Sequence, residues 1–327
     1  MIPTTRLLPI AAACLWLAAC ASTPPVPPMP VPVPQPVPSP VQPTQPDPGL
    51  PNRPAWRAPP MAFPAGTPAV ERIVQVALRE HAAWYRPFID TNGRLASRRV
   101  AEAERSRLDD GSEAWERVVA YWRDSGTLGE MQATAPGASL CQNPFASTYA
   151  RSECRVFVID TPWSAAFVSY VMLQAGIPGF RASPRHADYI RAAHRGSGPY
   201  GFEDPNLVPV ARGDMLCYIR NNPAMPGHGG LSAFLAGGGG GFASHCDIAV
   251  QVEAGEAWLV GGNVANMVTM RKLRLDAQGR AQLPRPIRGQ WVAADEEGQS
   301  PACSPSNEAA CSMNRQNWAV LLKLRQP

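Results

Sequence analysis

Seventeen of the 37 residues from Pro24 to Pro60 are proline, much of it as Pro-Val and Pro-Pro. Proline fixes φ and lacks a backbone N–H, so such a run joins neither a helix nor a sheet and is expected as extended polyproline II. The run divides the chain. Residues 20–65 read as a stalk, and residues 66–327 as the part that can bury a core, of a size that suits one domain. At ~3.1 Å per residue, about 40 residues reach on the order of 120 Å. A ligand for a proline-binding domain is the other use of such a segment.

Ahead of the stalk, Arg6 gives a short positive region and Leu7 to Ala19 a mostly apolar run, too short to span a bilayer. Residues 1–19 read as a signal peptide. The run ends in Leu17-Ala18-Ala19-Cys20. That ending resembles the cleavage signature of bacterial lipoproteins, in which Cys20 becomes the lipid-modified first residue. Ala21 stands where an aspartate signals inner-membrane retention. The resemblance therefore implies an outer-membrane anchor facing the periplasm, with the stalk reaching towards peptidoglycan. A secreted protein cleaved near Ala19 is the plainer alternative.

The formal net charge is +4, and the basic residues form no block of the kind that binds nucleic acid. No later segment is long and apolar enough to span a membrane as a helix. Beyond Cys14 and Cys20, six cysteines remain: Cys141, Cys154, Cys217, Cys246, Cys303 and Cys311. An even number in an exported chain suggests up to three disulfides, with fifteen possible pairings. Closeness in sequence favours Cys141 with Cys154 and Cys303 with Cys311. That leaves Cys217 and Cys246 in two apolar runs that suit neighbouring strands. No Cys-x-x-Cys pair marks a zinc site.

Val70, Ile73, Val74, Ala77, His81 and Trp84 keep helical spacing after Pro68. Further helices are expected near 97–108 and from 112 to 123, the latter with Asp110 and Glu113 as a capping box and Gly126 as a stop. Residues 128–157 read as a stapled loop. Thr161 as cap, Pro162 at the first helical position and Gly176 as stop frame the next helix. A short helix with His186, Tyr189 and Ile190 follows. Strands are expected at 213–219, 244–250, 257–260, 267–275 and 318–324, and Gly237 to Gly241 as a loop tip. Helices followed by antiparallel strands give an α+β fold.

Trp163-Ser164-Ala165-Ala166-Phe167 places Ser164 near the start of a helix, where free N–H groups favour negative charge. His245 opens an expected strand, and Asn263 follows two glycines. Nucleophile, base and orienting group are thus nominated in chain order. His186 and Trp163 are candidate substrate contacts. Plainer readings are a first-turn serine, a strand-end histidine, a turn asparagine and a core tryptophan.

Trp163 to Gly176, Arg212 to Tyr218, His245 to Val250 and Gly261 to Val268 together resemble the CHAP and NlpC-type branch of the papain-like cell-wall hydrolases. The combination Pro-Trp-Ser-Ala-Ala-Phe with Ser-His-Cys-Asp is more closely similar to the bacterial domain of unknown function 2272. The resemblance implies N-terminal helices packed on an antiparallel sheet. It also implies a monomer that hydrolyses amide bonds in peptidoglycan without metal or cofactor. By resemblance Ser164 is the nucleophile, His245 the base and Asn263 the orienter. The chain departs from the pattern at Ser164, where the family carries cysteine. A thiol ionises beside a helix dipole and an imidazolium, whereas a serine needs concerted proton removal. A non-catalytic peptidoglycan-binding or scaffold lipoprotein is the alternative expectation.

Overall fold

The computed structural model describes residues 54–102, 107–220, 222–253, 255–286 and 303–325. The expected signal peptide, the lipidation site Cys20 and the stalk as far as residue 53 lie outside the described residues. Residues 54–65, read as the end of the stalk, lie against the domain. Trp56 O accepts a hydrogen bond from Arg123 at 2.8 Å, Pro59 O one from Arg79 at 3.1 Å, and Phe63 packs on the core.

The chain begins with α1 (Ala69–Ala83) and two short strands, β1 (Phe88–Ile89) and β2 (Leu95–Ala96). Three helices follow: α2 (Ala114–Asp124), α3 (Leu128–Met131) and α4 (Thr148–Asp160). Then come α5 (Ser164–Gln174), α6 (His186–His194), β3 (Tyr200–Glu203), β4 (Met215–Ile219) and α7 (Gly227–Ala236). The chain closes with β5 (Ser244–Glu253), β6 (Glu256–Val264), β7 (Met267–Arg274) and β8 (Asn317–Leu324). The strands form one sheet in the order β2-β1-β7-β6-β5-β4-β8-β3. β4 to β7 pair antiparallel with their sequence neighbours, and the β1–β7 pair is parallel. The fold is α+β.

Both faces of the sheet are covered. Cys217, Cys246, Ile248 and Val260 join the core beneath the helices, where Trp163, Phe167 and Tyr170 sit. The alternate residues Leu216, Tyr218, Ala249 and Leu259 join a second apolar cluster with Trp318 and Leu321. This period of two is the pleat read out as burial.

A buried charge cluster ties three helices together. The Glu80 carboxylate on α1 is fully buried and accepts from Arg117 Nε on α2 at 2.8 Å and from Tyr121 OH at 2.8 Å. Arg79 lies 3.0 Å from it, and Tyr170 on α5 donates to it at 3.4 Å. The helix periodicity of α1 thus carries a carboxylate on its core-facing side.

Three local expectations differ from the structure. No helix occupies the described residues of 97–108. Ser97 has φ 66°, and Glu102 N–H bonds to Asn266 O at 3.0 Å, so the backbone takes a partner across the chain instead of four residues back. Asp110 does not cap α2. Its carboxylate accepts from Ser112 N and Oγ at 3.1 and 2.6 Å, a turn ahead of the helix. The stapled segment contains α3 and most of α4, whose N-cap Ser147 accepts from Ala150 N at 3.0 Å.

The disulfides are Cys141–Cys154, Cys217–Cys246 and Cys303–Cys311. Cys217 and Cys246 stand opposite one another in the β4–β5 register, as two neighbouring strands require.

Candidate active site

Ser164 is the first residue of α5. Trp163, not Thr161, occupies the cap position, and no side chain caps the helix. The first backbone N–H groups of α5 therefore have no partner within the helix or from a cap. Gly176, at φ 60°, ends the helix as its lack of a Cβ allows.

His186 is likewise the first residue of its helix, α6, and its Nε2 lies 2.8 Å from Ser164 Oγ. Three residues on, Tyr189 fastens α6 to α5. Its hydroxyl is 2.8 Å from Ala165 O, 2.6 Å from Ser183 O and 2.6 Å from Ser169 Oγ. Ser164 and His186 are 6% and 3% exposed. Where the serine donates to Nε2, Nδ1 carries the ring proton, and that atom has no hydrogen-bond partner among the described residues. Burial, with lesser contributions from His245 and the Arg220 guanidinium, holds the His186 imidazole well below its ordinary value. The ring is neutral at pH 7, so the Nε2 lone pair is available to the serine hydroxyl.

His245 is the second residue of β5, and its ring centroid lies 5.3 Å from that of His186. Among the described residues no hydrogen bond joins it to Ser164. Its Nε2–H donates to Asp247 Oδ1 at 2.7 Å, and its Nδ1 accepts from Arg220 Nη2 at 3.4 Å. Tyr218, its partner in the β4–β5 register, stacks on the ring with centroids 5.1 Å apart. Arg271 donates from Nε to Asp247 Oδ2 at 3.0 Å and from Nη1 to Met313 O and Asn314 Oδ1. Burial opposes ionisation of Asp247, but the charges and hydrogen bonds of His245 and Arg271 outweigh it and lower the carboxyl to about 2. Burial keeps His245 below its ordinary value in spite of that carboxylate.

Gly261, across from Asp247 on β6, makes room for this pair. A Cβ there would lie 1.9 Å from Asp247 Oδ1 and 3.0 Å from His245 Nε2. The next residue, Gly262, lies so close to α5 that a Cβ would come 2.4 Å from Phe167 Cβ. The two glycines let β6 pass between the His–Asp pair and the serine helix.

Among the described residues no hydrogen bond joins Asn263 to His245. It sits in a bulge, where the β6–β7 register shifts between Gly261 and Val264, with φ 55°. Its buried Oδ1 has no hydrogen-bond partner among the described residues. Asp247, two residues along the same strand as His245, holds that imidazole instead. Trp163 is fully buried and faces no groove. It stacks on Trp84 at 5.7 Å, and its indole N–H donates to Glu102.

The structure thus joins Ser164 to His186 and His245 to Asp247, and brings the two imidazoles side by side. Sequence reasoning missed Asp247, Arg271 and Arg220. The signal for Asp247 was its offset of two from His245 on a strand, which puts both side chains on one face. Among the described residues no group of three or more His, Cys, Asp or Glu side chains is arranged to hold a metal ion.

Residues 109–324, more than half of the chain, match the family described as uncharacterized protein conserved in bacteria (DUF2272). The chain belongs to that family. No curated protein and no solved structure matches it.

Proposed function

We propose that this chain is a papain-like hydrolase of the CHAP and NlpC type that cleaves amide bonds in peptidoglycan, with Ser164 as nucleophile and His186 as its base. The observation that carries the reading is the 2.8 Å contact between Ser164 Oγ and His186 Nε2 at an uncapped helix start. The helices packed on an antiparallel meander support the fold assignment. Leu17-Ala18-Ala19-Cys20 and the proline run support an outer-membrane lipoprotein whose stalk reaches the wall from the periplasmic side.

As Ser164 Oγ attacks the carbonyl carbon, its proton passes to His186 Nε2. The uncapped N–H groups of α5 face the developing oxyanion. The C–N bond then breaks as His186 returns that proton to the leaving amine. Water, deprotonated by the same nitrogen, hydrolyses the serine ester and frees the acid. The Asp247 carboxylate, bridged by His245, offers a negative charge near the transient imidazolium.

The alternative, a wall-binding or scaffold protein without turnover, draws on the depth of the site: Ser164 is 6% exposed and His245 fully buried. The test is the full chain, in detergent, on purified sacculi. Under the hydrolase reading, wild type releases soluble fragments and Ser164→Ala does not. Equal release by both overturns it, and binding without release by either supports the scaffold. Ser164→Cys, with its stronger nucleophile, is expected to match or exceed wild type.

A further inference from the structure

Arg220 directly follows β4, and its N–H bonds to Ala243 O at 2.9 Å, which fixes it beside the start of β5. Among the described residues its side chain has one hydrogen bond, the 3.4 Å contact to His245 Nδ1. Its Nε is buried without a hydrogen-bond partner, and it makes no ion pair among the described residues. Arg271, the other guanidinium of the cluster, is satisfied by Asp247, Met313 and Asn314. The cluster therefore sets one carboxylate against two guanidinium groups. Two further polar atoms close by in the chain or the cluster, Ser244 Oγ and His186 Nδ1, are also buried without partners.

Position adds to charge. Ser164, His186, His245, Asp247 and Arg271 are all buried, whereas Arg220 is only half-buried. Arg220 is thus the member of the set that a ligand arriving from solvent meets first. A partly desolvated guanidinium without a counter-charge is unfavourable. Its planar fork of donors matches a carboxylate in a two-point hydrogen bond.

We propose that Arg220 is a specificity-determining residue that anchors a free carboxylate of the ligand beside His245. Combined with the hydrolase reading above, on which it rests only for the word substrate, the substrate class is an amide bearing a carboxylate close to the scissile bond.

The test reads binding and not turnover, so the two proposals fail separately. The full chain is titrated by calorimetry with N-acetylglycine, with N-acetylglycinamide and with inorganic phosphate. The acid is expected to bind in the millimolar range, about tenfold or more tighter than the amide and tighter than phosphate. Arg220→Gln is expected to lose that preference, while Arg220→Lys, which keeps the charge but not the fork, retains part of it. The thermal midpoint of each variant reports whether it folds. The proposal is overturned if neither probe binds, if acid and amide bind alike, if phosphate binds better than the acid, or if a folded Arg220→Gln prefers the acid as wild type does. A preserved preference for the acid together with absent sacculus hydrolysis removes the hydrolase reading alone.

Discussion

Ser164 and His186 each open a helix, and the two helix starts meet across 2.8 Å between Oγ and Nε2. The imidazole that touches the serine is thus helical, whereas the strand histidine His245 is engaged by Asp247.

This arrangement ranks the two histidines. His186→Ala removes the proton acceptor, and fragment release from sacculi is expected to fall by about 10²-fold or more. His245→Ala leaves the Ser164 contact in place, and its loss is expected to be smaller. Rates measured side by side decide the matter. A reversed order would return the base to His245, as in the pattern the sequence resembles.

Gly261→Ala puts a methyl group where Asp247 Oδ1 and His245 Nε2 now lie, 1.9 and 3.0 Å from the new carbon. Both are buried and held by other partners, so neither yields freely. The expected outcome is a stability loss of about 1–3 kcal/mol from overpacking, read by denaturant melts. Separation of the His–Asp pair would appear as a changed His245 imidazole resonance. An unshifted midpoint would show that the sheet opens there without resistance.

Glu80→Ala leaves Arg117, 3% exposed, without its main buried counter-charge and removes the acceptor of the Tyr121 hydroxyl proton. Removing one partner of a buried ion pair costs about 3–5 kcal/mol. Asp110 also pairs with Arg117, so the lower end of that range is expected. Urea unfolding of the two proteins measures it, and a loss below about 1 kcal/mol would contradict the account.

Acid is expected to weaken the fold in two stages. Burial holds His81, His186 and His245 below their ordinary values. Between about pH 6.5 and those lower values the unfolded chain binds protons that the folded chain refuses, so stability falls as pH drops. Asp247 is held at about 2. Its contribution is present above about pH 4 and is lost as pH falls towards 2. Melting temperatures across pH 8 to 3 should stay level to about 6.5, then decline, and decline more steeply below about 4. A flat profile from 6.5 to 5 would contradict the burial of the histidines.

Where a segment carries its own periodicity or punctuation, the fold is legible from residues alone. The strands β4 to β8, α1, α5 and α6 fall where alternation, proline and glycine place them. What escapes is decided by distant partners. Glu102 bonds Asn266 across the chain, so residues 97–102 are not helical. Helix α4 hides inside a cysteine loop whose apolar spacing is weak, and its N-cap Ser147 shows its role only in the structure. In the site, Ser164, His186 and His245 are all visible as residues, but their pairing depends on how α6 docks on α5 through Tyr189. Asn263 illustrates the reverse. Two glycines and an asparagine read as an orienting group, while the backbone uses them for close approach and a left-handed bulge.

The disulfides Cys141–Cys154, Cys217–Cys246 and Cys303–Cys311 span 13, 29 and 8 residues, and each joins a cysteine to the next one along the described chain. Short spans close with little loss of chain entropy. A chain oxidised as it emerges, amino end first, from any pore therefore presents each of these six cysteines with its native mate before the next of the six is in reach. Order of arrival favours this pattern, and the strand pair that carries His245 can be locked before the last strand of the sheet in chain order, β8, has appeared.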